Sequence, residues 1–487
     1  MKEEEKEALE HVQELLASGK TERAFASLKE FKEHASEQFL ERDAWRMHEL
    51  FGACFHDLGD AEGAAQAYFQ AAQCDRFLRS QRQHFSNYLF ALHYLDGVAD
   101  AALYQEHLNC GTLYQDTEPL PYVRKVSHEK IRVGYLAVNF LEQSVARFTD
   151  AMLLHYDRER FEVFCYSMEQ SMDARSQRIA EFVDGWHAFD GLNFEEVAGR
   201  IQEDGVDILV DLCGHASGGM TLSVLAYRPA QVQVCAVGWF DTVGCSKVDY
   251  LLSDAVLAPQ DAKGRFVEQM LELPHAFCWQ PTEEMKAFRR FPRLSGQSVY
   301  FGCFCNFMKI TDCMLRAWKR IVDGVPKSRL VLQDTLCLPA RIQAMEKRVE
   351  AAGLGAAVQV RMASKDYMND LGLVDILLDT SPYPGGGVTA ASLYAGTPVV
   401  TLCGSRYGSR FGASILQAAD CGEIIANTIE EYIEKAVSLA RDEERLQNMQ
   451  KALRGKMEGS ALMDVKGYMK ALEESYGKLA SGDVVLG

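Results

Sequence analysis

VDILLDTSPYPGGGVTAASLYAGTPVVTL, residues 374–402, is the stretch that sets the architecture. Residues 375–380 and 397–402 are short runs of Ile, Leu, Val and Thr bounded by turn residues, the pattern of strands buried on both faces. Pro382, Tyr383, Pro384 and three glycines follow the first run, and a helical stretch at 390–396 leads into the second. Strand, turn, helix and strand in that order make a crossover unit, which predicts a parallel sheet.

The same alternation extends outward on both sides. Strand candidates at 299–304, 329–333 and 358–362 complete a C-terminal half over 296–482. Runs at 130–138, 161–167, 206–213 and 231–238, with helical segments such as 193–203 between them, make an earlier half over 130–290. A polar stretch near 280–297 separates the two. The fold class is α/β, with two doubly wound halves. Such sheets bind ligands beyond the carboxyl ends of their strands, and two halves face to face would form a cleft.

Residues 1–122 read as helical throughout. Leu9, Val12, Leu15 and Leu16 line one helix face, and Gly19-Lys20 closes that helix. Trp45, Leu50, Gly52 and Phe55 precede Leu58-Gly59-Asp60, and Ala64, Ala65, Ala67, Tyr68 and Ala71 follow. Small residues at those spacings let two helices pack closely, as in one tetratricopeptide repeat of about 34 residues. The pattern predicts a short array of helical hairpins, a generic helical bundle being the alternative. Pro119 and Pro121 mark an expected hinge.

Composition narrows the function classes. A net charge of −18 argues against a broad nucleic-acid surface. The N-terminus, MKEEEKEALEHVQELL, lacks the apolar core of a signal peptide, and no stretch approaches the ~20 apolar residues of a membrane span. Fourteen scattered cysteines then fit reduced thiols, so the expected compartment is the cytoplasm. Cys303 and Cys305, on one face of a strand, lack further ligands at metal-site spacing.

Neither half carries the glycine fingerprint of a dinucleotide dehydrogenase or of a P-loop ATPase. The richest signal is Gly385-Gly386-Gly387, where backbone N–H groups beside a helix N-terminus suit a diphosphate. Closing a tight turn is the other reading of such a run. Lys309, just after the first strand of the same half, stands where an ammonium reaches a phosphate or is merely solvated.

Taken in order, these segments resemble a known family. They are IRVGYLAVNFLEQSVARF (131–148), FEVFCYSM (161–168), DGVDILVDLCGHASG (204–218), YRPAQVQVCAVGWFDTVG (227–244) and VDYLLSDAVLAP (248–259), continuing through CNFMKITDCMLRAWKRIVDGVPKSRLVL (305–332), 374–402 and GSRYGSRFGASIL (404–416). Residues 130–479 are similar to the catalytic part of the O-linked N-acetylglucosamine transferases and their Spindly-like relatives. That family joins tetratricopeptide repeats to a two-domain GT-B glycosyltransferase. The resemblance implies transfer of a sugar, N-acetylglucosamine or a related one, from a nucleotide sugar to a protein Ser or Thr. A UDP-sugar is the expected donor, with no metal and no further cofactor. It implies that Lys309 contacts the diphosphate, that Asn306 shares its loop, and that Tyr367 stacks on the base. Gly385, Gly386, Gly387 and Thr389 would cradle the phosphates. His215 would line the acceptor cleft, donating a hydrogen bond or relaying a proton.

The departures from the family are equally specific. Where relatives carry Asp-Phe and then a histidine after the first strand, this chain has Asn139-Phe140 and Gln143. Ala391 stands in place of the carboxylate that holds the ribose. Losing that bond is worth roughly 1.5–3 kcal/mol. The sequence thus leaves open an active transferase with altered donor preference, a weak enzyme, or a degenerate adaptor that presents acceptors or partners an active glycosyltransferase. The acceptor protein would be held by the helical module.

Overall fold

The structure, a computed structural model, describes residues 2–121, 128–191, 193–294, 296–364 and 366–482. Two compact units make up the chain. One comprises Met1–Val98, Ala287–Gly404 and Ile424–Arg454; the other comprises Ala99–Lys286, Ser405–Glu423 and Gly455–Gly487.

The first unit begins with α1 (Glu3–Ala17), α2 (Thr21–His34), α3 (Glu37–Arg42), α4 (Ala44–Leu58), α5 (Ala61–Cys74) and α6 (Leu78–Leu92). Helices α4 and α5 are the hairpin expected from the small-residue pattern. Gly59 ends α4 at φ +79°, a conformation that costs a glycine little, and the Asp60 carboxylate accepts from the N–H of Gly63 to start α5. At Gly52 a methyl group would stand 2.5 Å from the Tyr68 ring, so the glycine sets how closely the helices approach. Leu9, Val12, Leu28, Phe39, Phe51 and Cys54 form the core beneath them.

The same unit carries a six-stranded sheet. A second, seven-stranded sheet belongs to the other unit and comes first in the sequence. It holds β1 (Ile131–Ala137), β2 (Phe161–Ser167), β3 (Gly185–Ala188), β4 (Ile208–Asp211), β5 (Val232–Cys235), β6 (Tyr250–Ser253) and β7 (Gln269–Glu272), in the order β3-β2-β1-β4-β5-β6-β7. The six-stranded sheet holds β8 (Tyr300–Cys305), β9 (Arg329–Asp334), β10 (Val358–Met362), β11 (Ile376–Leu378), β12 (Val399–Leu402) and β13 (Ile425–Ala426), in the order β10-β9-β8-β11-β12-β13. The strand pairs of both sheets are parallel.

Each sheet runs outward from its first strand, then returns and continues on the other side. The order therefore reverses between β1 and β4 in one sheet and between β8 and β11 in the other. At such a switch point the connecting helices lie on opposite faces and leave a crevice at the strand ends.

The helix α7 (Asp100–Gln115) groups with the seven-stranded sheet rather than with α1–α6. Gly111 allows this, because a side chain there would collide with the carbonyl of Gly244. Residue 122, the expected end of the helical module, lies outside the described residues. The stretch read as a hinge is tied down: Leu120 donates to the carbonyl of Tyr227, and Gln202 donates to that of Pro121. The helix Val465–Ser481 returns late in the chain to this unit, where Tyr468, Leu472 and Tyr476 join Val133, Tyr135, Ile208 and Val234 in one core.

Candidate functional site

The crevice of the six-stranded sheet collects most of the residues singled out in the sequence. β8 ends at Cys305, and Asn306 caps a single turn, Phe307–Lys309, by accepting from the N–H of Met308. That turn delivers the Lys309 ammonium to the neighbouring loop after β11. It donates to the carbonyl of Pro384 at 3.0 Å and lies 3.8 Å from the centre of the Tyr383 ring. Burial pulls its pKa down, and the nearby Cys305 and Asp379 oppose that.

The loop after β11 is organised by Asp379, which the sequence reading passed over as a strand end. One carboxylate oxygen accepts from the N–H groups of Thr380 and Gly385, and the other accepts from the hydroxyl of Thr401. Burial raises this carboxyl to about 6. A carboxylate at the carboxyl end of a central strand, six residues before a triple glycine, was the signal available to find it. Gly386 caps the helix Gly387–Tyr394, so this helix starts at the third glycine, earlier than the 390 expected from composition. A methyl group at Gly385 would lie 2.5 Å from Val388 and 2.7 Å from the hydroxyl of Thr389.

Thr389 itself is 0% exposed, and among the described residues its hydroxyl finds no hydrogen-bond partner. A buried hydroxyl with no partner costs about 1–3 kcal/mol. Asn306, Lys309, the glycine turn and Thr389 are thus set on the two loops that border one switch point. Tyr367 stands apart from them, opening the helix Tyr367–Leu373 after β10, two strands from β8. Ala391 is buried in the body of the helix that the glycines begin.

The seven-stranded sheet has its own crevice, and His215 lies at it, four residues beyond β4. Asp211 at the end of β4 accepts from the N–H groups of Cys213 and Gly214, which turns the chain toward His215. The imidazole is 0% exposed. Its Nε2–H donates to the carbonyl of Val243 at 2.9 Å, and its ring meets the edge of Trp239 at 5.0 Å and His107 of α7 at 5.9 Å. Burial, with His107 beside it, pushes its pKa down to about 3. The arrangement fixes the imidazole, with its Nε2–H engaged by Val243 and its charged form disfavoured by burial. At the end of β1, Asn139 and Gln143 bind each other at 2.9 Å, and Asn139 also donates to Glu169.

Two loops bearing an ammonium, a helix N-terminus and an unpaired hydroxyl have the chemistry to hold a polyanion. The model of glycosyl transferase family 41 matches residues 101–289 and 279–472. A probable UDP-N-acetylglucosamine–peptide N-acetylglucosaminyltransferase, SPINDLY, of Solanum lycopersicum is 33% identical over 407 residues, 80% of this chain and 43% of its own. The enzyme of that name termed SEC in Arabidopsis thaliana is 29% identical over 378 residues, 74% of this chain and 38% of its own. The chain thus spans less than half the length of these curated relatives. Among solved structures, a point mutant of the Thermobaculum terrenum O-GlcNAc transferase superposes with a TM-score of 0.79 at 26% identity, covering 98% of both chains.

Proposed function

Because the chain belongs to glycosyl transferase family 41, we propose that it transfers a sugar from a nucleotide diphosphate sugar to a Ser or Thr hydroxyl of a protein. The observation that carries this reading is the unpaired hydroxyl of Thr389, buried behind the glycine turn that the Lys309 ammonium approaches. Folding alone gains nothing from that hydroxyl, whereas a phosphate oxygen would satisfy it. In the reaction the diphosphate leaves as the bond to the sugar breaks, and positive charge must already face it. Lys309 and the N–H groups at the start of the helix Gly387–Tyr394 supply that charge. Asn306 holds the loop, and Tyr367 is assigned to the base.

We take UDP-N-acetylglucosamine as the donor, following the names of the relatives, and the helices α1–α6 as the acceptor-binding module. We place the chain in the cytoplasm, because fourteen cysteines scattered through a long chain fit reduced thiols. No helix among the described residues is long and apolar enough to cross a membrane.

A second reading rests on Asn139, Gln143 and Ala391, and on the burial of His215. These replace or withhold groups that would act on acceptor and ribose, which favours a donor-binding adaptor without transfer. One experiment separates the two. UDP, GDP and their sugar conjugates are screened by thermal shift and calorimetry, and the donor that binds is then tested for label transfer to protein. Binding with transfer is expected; binding without it selects the adaptor, and silence across the whole panel overturns the site.

A further inference from the structure

The helical module ends on the same loops as the proposed donor site, by two separate routes. The first runs through Arg341 in the helix Pro339–Ala351, which is 1% exposed. Its guanidinium donates at 3.0 Å to the carbonyl of His56 in the last turn of α4, where helix carbonyls carry partial negative charge. The same nitrogen donates at 2.8 Å to Oδ1 of Asn306. Asp334, at the end of β9, has a carboxylate oxygen 3.5 Å from Nε of the same guanidinium and accepts from the N–H of Phe307. One buried cation therefore ties the end of α4 to the turn that carries Lys309.

The second route is aromatic. Tyr94, two residues past α6 and 4% exposed, sets its ring 5.5 Å from that of Tyr383, and Phe90 of α6 lies 6.2 Å from it. Tyr383 is the ring under the Lys309 ammonium. Behind the ammonium and its supporting ring, the wall is thus built from the helical module.

We propose that Tyr94 and Arg341 are positioning residues for the donor site, so that the helical module sets donor affinity as well as offering a surface to acceptors. The proposal rests on the reading that Lys309 binds the diphosphate. Its physical basis is that an ammonium over an aromatic face is held most firmly when the ring itself is fixed and water is excluded. Without Tyr94 the Tyr383 ring gains room, and the half-buried Lys309 becomes more hydrated. Without Arg341 the carboxamide of Asn306 loses its second partner.

The test uses the full chain with UDP as probe. Tyr94→Leu should weaken UDP binding by about three- to tenfold, the scale of one cation–ring contact, with its thermal transition retained. Tyr94→Phe, which keeps the ring, should bind as the wild type does. Greater hydration of Lys309 in Tyr94→Leu should also move the alkaline limit of UDP binding to higher pH, and the retained thermal transition separates this from general loosening. Arg341→Lys, which keeps the charge but cannot reach two acceptors with one planar group, should weaken UDP in the same direction. Lys309→Ala is the control. If it leaves UDP binding unchanged, or if the wild type binds no nucleotide, the donor-site reading itself fails. If Lys309→Ala abolishes binding while Tyr94→Leu matches the wild type in affinity and in its alkaline limit, the positioning role is overturned.

Discussion

At the scale of single residues, the site is legible where side-chain chemistry is carried by position along a strand and illegible where it depends on burial. Lys309 and the three glycines follow strand ends, and strand ends are readable from apolar runs. The depth of His215 was not readable, because it comes from α7 folding over a loop more than a hundred residues later in the chain. Asp379 was missed for a related reason: an aspartate after an apolar run looks like a solvated terminus until its three hydrogen bonds are seen. Two substitutions test these assignments. Thr389→Val keeps the shape and removes the unpaired hydroxyl, so the unliganded protein should gain about 1 kcal/mol in chemical denaturation while UDP binds more weakly. A loss of stability would mean that the hydroxyl has an internal partner. His215 is held neutral in the fold with its pKa pushed down to about 3, against ~6.5 in the unfolded chain. The stability it contributes is therefore present above pH ~6.5 and drains away as the pH falls toward the folded value. His215→Asn should lower the loss of unfolding free energy between pH 6.5 and 4.5 by about 2–3 kcal/mol. Equal pH slopes in the two proteins would place the imidazole in contact with water.

At the scale of elements, long apolar runs with β-branched residues gave β1, β2, β4, β5 and β8–β12 directly. Four strands escaped that reading. β3 is an edge strand with four half-buried residues, and so shows neither alternation nor a continuous apolar run. Length does not set β6 and β7 apart, since β4, β5 and β12 are also four residues long; β7 has only two apolar residues, between exposed Gln269 and Glu272, and β13 is two residues in all. The glycine turn is the element on which function most depends. Gly385→Ala would press a methyl group against Val388 and Thr389, and the turn would have to open to admit it. We expect the variant to fold with a lower melting temperature and to lose UDP binding. Retention of wild-type affinity in calorimetry would show that the turn tolerates opening and does not cradle phosphate.

At the scale of the whole molecule, sequence order and spatial grouping part company. The chain leaves one unit for the other after Val98, Lys286, Gly404, Glu423 and Arg454. The repeat pattern and the two α/β alternations were each visible as blocks of sequence, but a reading in blocks has no means of assigning α7 or the helix Val465–Ser481 to a distant sheet. A fragment beginning at residue 130 would strip Arg341 and Tyr383 of their helical partners and remove α7 from above His215. It should be poorly soluble or lack a cooperative thermal transition; a fragment as stable as the full chain would show those contacts to be dispensable. The late return of Val465–Ser481 to the core of β1 and β4 also bears on how the protein is made. Its residues emerge from the ribosome about 200 positions after β7, a wait of ~10–40 s at ordinary translation speeds. Throughout that interval the nascent seven-stranded sheet carries an uncovered apolar face, which makes it a natural client for chaperones during synthesis.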